Sequence, residues 1–292
     1  MKKYDYLYLK DNKNAYFLKH IKNANIQNYY LLNPKSFLFK CVTHFKFNRQ
    51  FIWGNWKKEV QNYKLIILGE NGFNPQFTKY IKKSNPNCRI IMFYWNCINE
   101  NYARFLKDPN IDEFWSFDKN DCKKYKMKYN SQFYSKDFKL PKRNINNDVV
   151  FCGRCKGREK ILKELEEKFN NLGIKNNFII TTREKDFFPY EDYIKIVAAS
   201  KAVLDIFAGH QIGLSLRAME SIFFEKKLIT NNKDIQNYDF YDPQNIFIIG
   251  KDKDEDLVSF LNTPYKKIDK KLVDYFDFHN WIKRFDNKKS SS

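Results

Sequence analysis

"LDIFAGHQIGLSLRAMESIFFEKKLITNN", Leu204 to Asn232, carries the most architectural information in this chain of 292 residues. An apolar run ends in a loop bearing Gly209 and Gly213, and a helix follows. On that helix Leu216, Met219 and Phe223 form an apolar stripe, while Arg217 and Glu220, three apart, share a neighbouring face. "LIT" then reads as the next strand. Strand, loop, helix, strand is the unit from which parallel sheets covered on both faces are built.

The pattern continues on both sides. "DVVFCG", "NNFIITT", "KAVLDIF" and "NIFIIG" read as further strands. "REKILKELEEKFNNLG" reads as a helix stopped by Gly173, and "PYEDYIKIVAAS" as one that opens at Pro189 with acids in its first turn. The first half is more ragged. "YDYLYL", "NYYLLN", "KLIILG", "CRIIMFYW" and "DEFWSFD" have strand character, with helices expected over 75–83, 99–107 and 119–127. "LVDYFDFHNWIKRF" reads as one amphipathic helix. The expected fold class is α/β, with a Rossmann-like domain over 1–143 and a second over 144–264. The break falls in the polar "KLPKRNINND", and 265–292 form a C-terminal helix and tail that pack back on the first domain.

Hydrophobic content of 43% and aromatic content of 18% exclude a disordered chain. No run approaches the ~18 uncharged apolar residues of a membrane span, and the N-terminus lacks an unbroken apolar stretch. A cytoplasmic protein with free thiols is expected, because the six cysteines show no framework spacing. The net charge of +19 is uneven. Residues 1–147 hold 28 Lys+Arg against 11 Asp+Glu, whereas 148–292 hold 25 against 23. An anionic partner for the first half follows, whether membrane lipid, acidic glycan or nucleic acid.

"FCGRCKGR", 151–158, offers two chemistries. Cys152 and Cys155 have redox or half-zinc spacing, yet the four histidines (20, 44, 210, 279) are scattered and no second ligand pair exists. Alternatively, a glycine turn between strand and helix presents backbone N–H groups to phosphate, with Arg154, Lys156 and Arg158 adding charge.

Gly213, Ser215, Arg217 and Glu220, followed by "FFEKKLITNN", resemble the donor-binding half of GT-B glycosyltransferases, nearest the bacterial enzymes of lipopolysaccharide, lipooligosaccharide and capsule biosynthesis. "VVFCGRCKGRE" and "PYEDYIKIVAASKAVLDI" are similar to the first strand and the middle of that half. The resemblance covers about 148–250. Over the first half it is one of architecture, with "IIMFYWN" and "EFWSFDKNDCKKY" reminiscent of the same enzymes. It implies two Rossmann-like domains facing across a cleft and a metal-independent transfer with no cofactor. The donor is a nucleotide sugar, a UDP-hexose such as UDP-galactose by default, and the acceptor an oligosaccharide or lipid-linked glycan. Gly153, Arg154 and Lys156 would lie against phosphate or sugar. Gly213, Ser215 and Arg217 would hold the diphosphate, and Glu220 the ribose. His210 and Gln211 stand where the family often has a Glu. An inverting transfer also needs a base, for which Glu70 in "LGENG" and Asp11 after "YLYLK" are the candidates.

"KSFLFKCVTHFKFNRQFIWGNWKK", 35–58, interleaves aromatics with cations. Such a stretch suits an anionic membrane interface, single-stranded nucleic acid, or a core with exposed lysines. With a lipid-linked acceptor, peripheral binding at the inner face of the plasma membrane is the expectation, and no specific nucleic acid is expected. A basic nucleic-acid-binding protein and a nucleotide-sugar epimerase on the same scaffold are the rival readings.

Overall fold

The computed structural model describes residues 4–11, 16–34, 36–44, 49–155, 157–182, 188–207 and 213–286. The chain forms two compact units, 1–130 and 131–292. Each is α/β and Rossmann-like, built on a wholly parallel sheet.

The first unit carries six strands: β1 (Tyr6–Lys10), β2 (Ile26–Asn28), β3 (Leu65–Gly69), β4 (Arg89–Tyr94), β5 (Glu113–Ser116) and β6 (Lys128–Tyr129), in the order β2-β1-β3-β4-β5-β6. β3 is buried at every position and β4 at all but its first, as continuous apolar runs in a two-faced parallel sheet should be. Its helices are α1 (Phe37–His44), α2 (Pro75–Ser84), α3 (Glu100–Ala103) and α4 (Lys119–Tyr125). Local chemistry sets their starts. The Asn74 side chain accepts from Gln76 N ahead of Pro75, and Asp118 accepts from the backbone of Asn120 and Asp121.

The aromatic-basic stretch resolves into α1 and short 3-10 turns at Arg49–Ile52 and Asn55–Lys58. Trp53 and Trp56 stack at 5.7 Å and are fully buried with Tyr29 and Phe77, so these tryptophans belong to the core. "NYYLLN" shifts too, because the paired strand ends at Asn28.

The second unit holds β7 (Asn147–Arg154), β8 (Asn176–Thr181), β9 (Ser200–Asp205), β10 (Lys227–Thr230) and β11 (Ile246–Ile248), in the order β11-β10-β9-β7-β8. α5 (Glu159–Asn171), α6 (Tyr190–Ala198), α7 (Leu216–Phe224), α8 (Leu257–Asn262), α9 (Lys270–Phe276) and α10 (Phe278–Lys283) complete it. Phe151, Leu162, Leu204 and Ile229 join one apolar core. In both sheets the first strand of the unit lies between the second and the third, so the connections leave in opposite directions on its two sides. Ligands of open α/β sheets bind beyond the strand C-termini at that reversal.

Two boundaries differ from expectation. The units divide at Asn130/Ser131 rather than near 143, because 131–138 pack with the C-terminal helices inside the second unit. Tyr134 N donates to Phe276 O and Phe278 N to Tyr134 O, both at 2.9 Å. The single C-terminal helix is two, broken at Asp277. That residue is extended (φ −70°, ψ 139°), caps α10, and accepts from Lys136 N at 2.9 Å. Trp281 anchors the assembly: fully buried, it donates Nε1–H to Ser131 O at 2.8 Å and lies 4.2 Å from Phe133. Trp281→Ala should cost about 3–5 kcal/mol of stability in denaturant unfolding, the range for a buried aromatic replaced by a cavity.

Candidate functional site

The site grows from the end of β7. Gly153 lies within this strand, paired with Ile180 of β8, and Arg154 pairs with Thr181. The expected glycine turn is therefore displaced: the strand continues through Arg154, and Gly157 (φ +77°) supplies the left-handed residue of the turn. What Gly153 provides is space. A Cβ there would stand 2.5 Å from Nη2 of Arg217, which reaches across from the first turn of α7.

Arg217 is held from several sides. Its Nη2 donates to the Cys152 carbonyl, its guanidinium lies 5.0 Å from the centre of the Phe151 ring, and its Nη1 is 3.7 Å from Asp205 Oδ1. The Nε of Arg217 is buried with no hydrogen-bond partner among the described residues. Ser215 caps α7, accepting from Ala218 N at 3.1 Å, and donates its hydroxyl proton to Asp205 Oδ2 at 2.6 Å. With that proton committed, Ser215 has none left for a diphosphate and acts instead on Asp205. Burial pushes the Asp205 carboxyl up, against the pull of Arg217.

Beside Arg217 is a cavity of about 250 Å³ at the C-terminal edge of β7 and β8. Gly153, Arg154, Arg217 and Glu220 all line it, so four of the residues singled out in the sequence converge. Gly213 is buried just before α7 and is not part of the lining. Lys156, His210 and Gln211 lie outside the described residues. Arg158 is occupied elsewhere: buried, it donates to the carbonyls of Cys155, Ile206 and Arg154, tying the loop after β7 to the end of β9.

Glu220 is 1% exposed and accepts from Tyr190 and Tyr193 hydroxyls, each at 2.6 Å. Burial lifts its carboxyl to about 7, with the two tyrosines and Arg217 pulling the other way. Tyr190 OH is also 2.7 Å from Tyr134 OH. Sequence reading missed Asp205, Tyr190 and Tyr193. The one signal was the spacing of the two tyrosines, three apart in "YEDY" and hence on one face of the first turn of α6.

The two thiols are free. Burial lifts Cys152 to about 11, which keeps it protonated and a poor nucleophile. Cys155 is buried, its Sγ 3.7 Å from Thr181 O. Among the described residues no three His, Cys, Asp or Glu side chains gather as a ligand set.

In the first unit, Glu70 follows β3 but is 2% exposed and accepts from Trp95 N, Asn96 N, Asn96 Nδ2 and Asn71 Nδ2. Burial raises its proton affinity while these donors oppose it. Its carboxylate joins the loops after β3 and β4. Asp11, at the tip of β1, keeps Oδ1 buried without a hydrogen-bond partner among the described residues, and Gly72 (φ +75°) would set a Cβ 3.3 Å from its side chain.

No family model matches the chain, and no curated protein matches it. Among solved structures, the cofactor (NAD+)-bound 3-phosphoglycerate dehydrogenase of Entamoeba histolytica is similar at 12% identity, over 88% of this chain and 91% of that one, with a TM-score of 0.21. A likeness at that level says nothing about chemistry.

The proton affinity of Glu220 makes a pH prediction. Its folded value of about 7 stands above the ordinary 4.5, so the folded state binds the proton more tightly. The resulting stability is complete below about pH 4.5 and is lost as pH rises through about 7. Glu220→Gln should flatten this part of the stability profile, measured as melting temperature against pH for variant and parent.

Proposed function

We propose that this chain is a nucleotide-sugar-dependent glycosyltransferase of GT-B type that binds its donor in the second unit. The observation that carries this reading is Gly153 beneath the Arg217 guanidinium. A cation with an uncommitted buried Nε is placed over a side-chain-free strand residue, at the end of the sheet where the connections reverse. Arginine suits oxygen-rich anions because its planar fork meets two oxygens at once. The dipole of α7 adds positive potential at the same end.

The cavity lies just under the ~300–1,000 Å³ usual for ligand pockets. It suits the diphosphate and an adjoining group rather than a whole nucleotide sugar. Arg154, exposed on the rim, adds a second cation. Departure of a nucleoside diphosphate places negative charge on the β-phosphate, and fixed cations in a site shielded from water stabilise that charge most. Glu220 offers its remaining lone pairs to a ribose hydroxyl, with Tyr190 and Tyr193 fixing its orientation.

Transfer requires only that the acceptor hydroxyl be aimed at the anomeric carbon as the glycosidic bond to the diphosphate breaks. Of the two carboxylates proposed as base, Asp11 fits better, because Glu70 is saturated with donors. The acceptor in this reading is a saccharide of a bacterial surface glycan.

A thermal-shift panel of UDP, GDP, CMP and ADP tests the proposal. One uridine or other nucleoside diphosphate should raise the melting temperature by several degrees at saturating concentration. Gly153→Ala should abolish that shift while moving the unliganded melting temperature little, since the clashing atom ends a flexible side chain. Stabilisation by none of the four, or an undiminished shift in Gly153→Ala, would remove the basis for the reading.

A further inference from the structure

Between Asp11 and Glu59 the sequence contains nine Lys and Arg and not one acidic residue. The same interval supplies every large hydrophobic side chain exposed on the first unit among the described residues: Leu31 at 54%, Phe37 at 83%, Leu38 at 58% and Phe51 at 53%. The backbone segments that bear them are adjacent. Leu31 N donates to Ile52 O at 2.9 Å, which sets Leu31 beside the turn that bears Phe51. α1 packs on that same turn. It rests Phe39 and Val42 against the core and leaves Phe37, Leu38 and Lys40 outside.

Isolated exposed apolar residues are ordinary, but a cluster of four within an acid-free basic segment marks an interaction surface. Charge and side-chain type together select the partner. Single-stranded nucleic acid would call for a row of exposed rings on which successive bases stack. Here Phe37 and Phe51 are exposed, but Tyr29, Trp53 and Trp56 are buried in the core, and half of the patch, Leu31 and Leu38, has no π face. A second copy of the chain would bring a like-charged surface against itself. A bilayer with anionic headgroups accepts Phe and Leu among its acyl chains and draws lysines to its phosphates.

We propose that Leu31, α1 and the turn bearing Phe51 form a docking surface for an anionic lipid bilayer, with Phe37 and Leu38 entering the acyl layer. The proposal rests on the first unit alone and is independent of the donor reading.

Flotation of the full chain with vesicles of phosphatidylcholine, with and without phosphatidylglycerol, is the test. The chain should float with the anionic vesicles and be released by high salt. Phe37→Ser combined with Leu38→Ser should weaken binding by about tenfold or more, with an unchanged melting temperature because both side chains are exposed. Val258→Ser, which removes an exposed apolar residue of the second unit, should leave flotation as it was. Leu31→Ser with Phe51→Ser repeats the test if the first pair alters melting. Equal partitioning onto neutral and anionic vesicles overturns the proposal, as does undiminished flotation of both serine pairs. So does salt-sensitive binding to a polynucleotide without flotation, or a dimer that the serine pairs dissolve. A nucleotide-induced thermal shift that survives in the serine variants would show that the lipid surface and the donor cavity stand or fall separately.

Discussion

A half-buried guanidinium governs the second unit. Removing a cation from water is costly unless its donors and charge are met locally. Around Arg217 the chain meets them with a strand carbonyl, an aromatic face and the carboxylate of Asp205, which Ser215 in turn holds in place. These groups come from three places in the fold: the carbonyl and the ring from β7, the carboxylate from β9, and the serine from the cap of α7. Their convergence requires that β7 lack a side chain at position 153. One atom-sized vacancy in a strand thus determines where the Arg217 guanidinium can lie at the end of the sheet.

The same economy of polar groups appears in both units. Arg158, rich in charge and placed beside a loop, is consumed in satisfying three carbonyls where β7, α5 and β9 meet. Glu70 performs the complementary service in the first unit, accepting from backbone and amide donors of two loops. Both resemble site residues by type and position, yet their hydrogen-bonding capacity is occupied. Arg217 and Asp11 differ in each retaining a buried polar atom that the described residues do not satisfy.

The sheets were legible in sequence because parallel strands buried on both faces are short unbroken apolar runs, and helices between them keep a period of 3.6. All five strands of the second unit sit where "DVVFCG", "NNFIITT", "KAVLDIF", "LIT" and "NIFIIG" place them. Features that depend on tertiary partners were not legible. Nothing local to "DYFDFHNW" reveals that Asp277 leaves the helix to join the backbone of 134–136. Gly153 beside a basic loop reads as a turn until the register with β8 is seen to run on through Arg154. Tyr190 and Tyr193 look like core aromatics, and only the carboxylate buried between their hydroxyls gives them another task. The site was accordingly half readable: Arg217 and Glu220 announce themselves by spacing, whereas the groups that tune them come from α6 and from β9.

The hydroxyl of Tyr134 ties the far end of the chain into this arrangement. Tyr134 is clasped by the backbone at the junction of α9 and α10, and its phenol meets Tyr190, which meets Glu220. When Glu220 is ionised, the single proton of Tyr190 points toward it, so Tyr134 must supply the proton between the two phenols. Trimming the chain before α10 would remove the Phe278 N–H bond to the Tyr134 carbonyl, one of the two backbone bonds that fix the residue bearing that phenol. Glu220 would then sense, through two oxygen atoms, an amputation made more than fifty residues downstream.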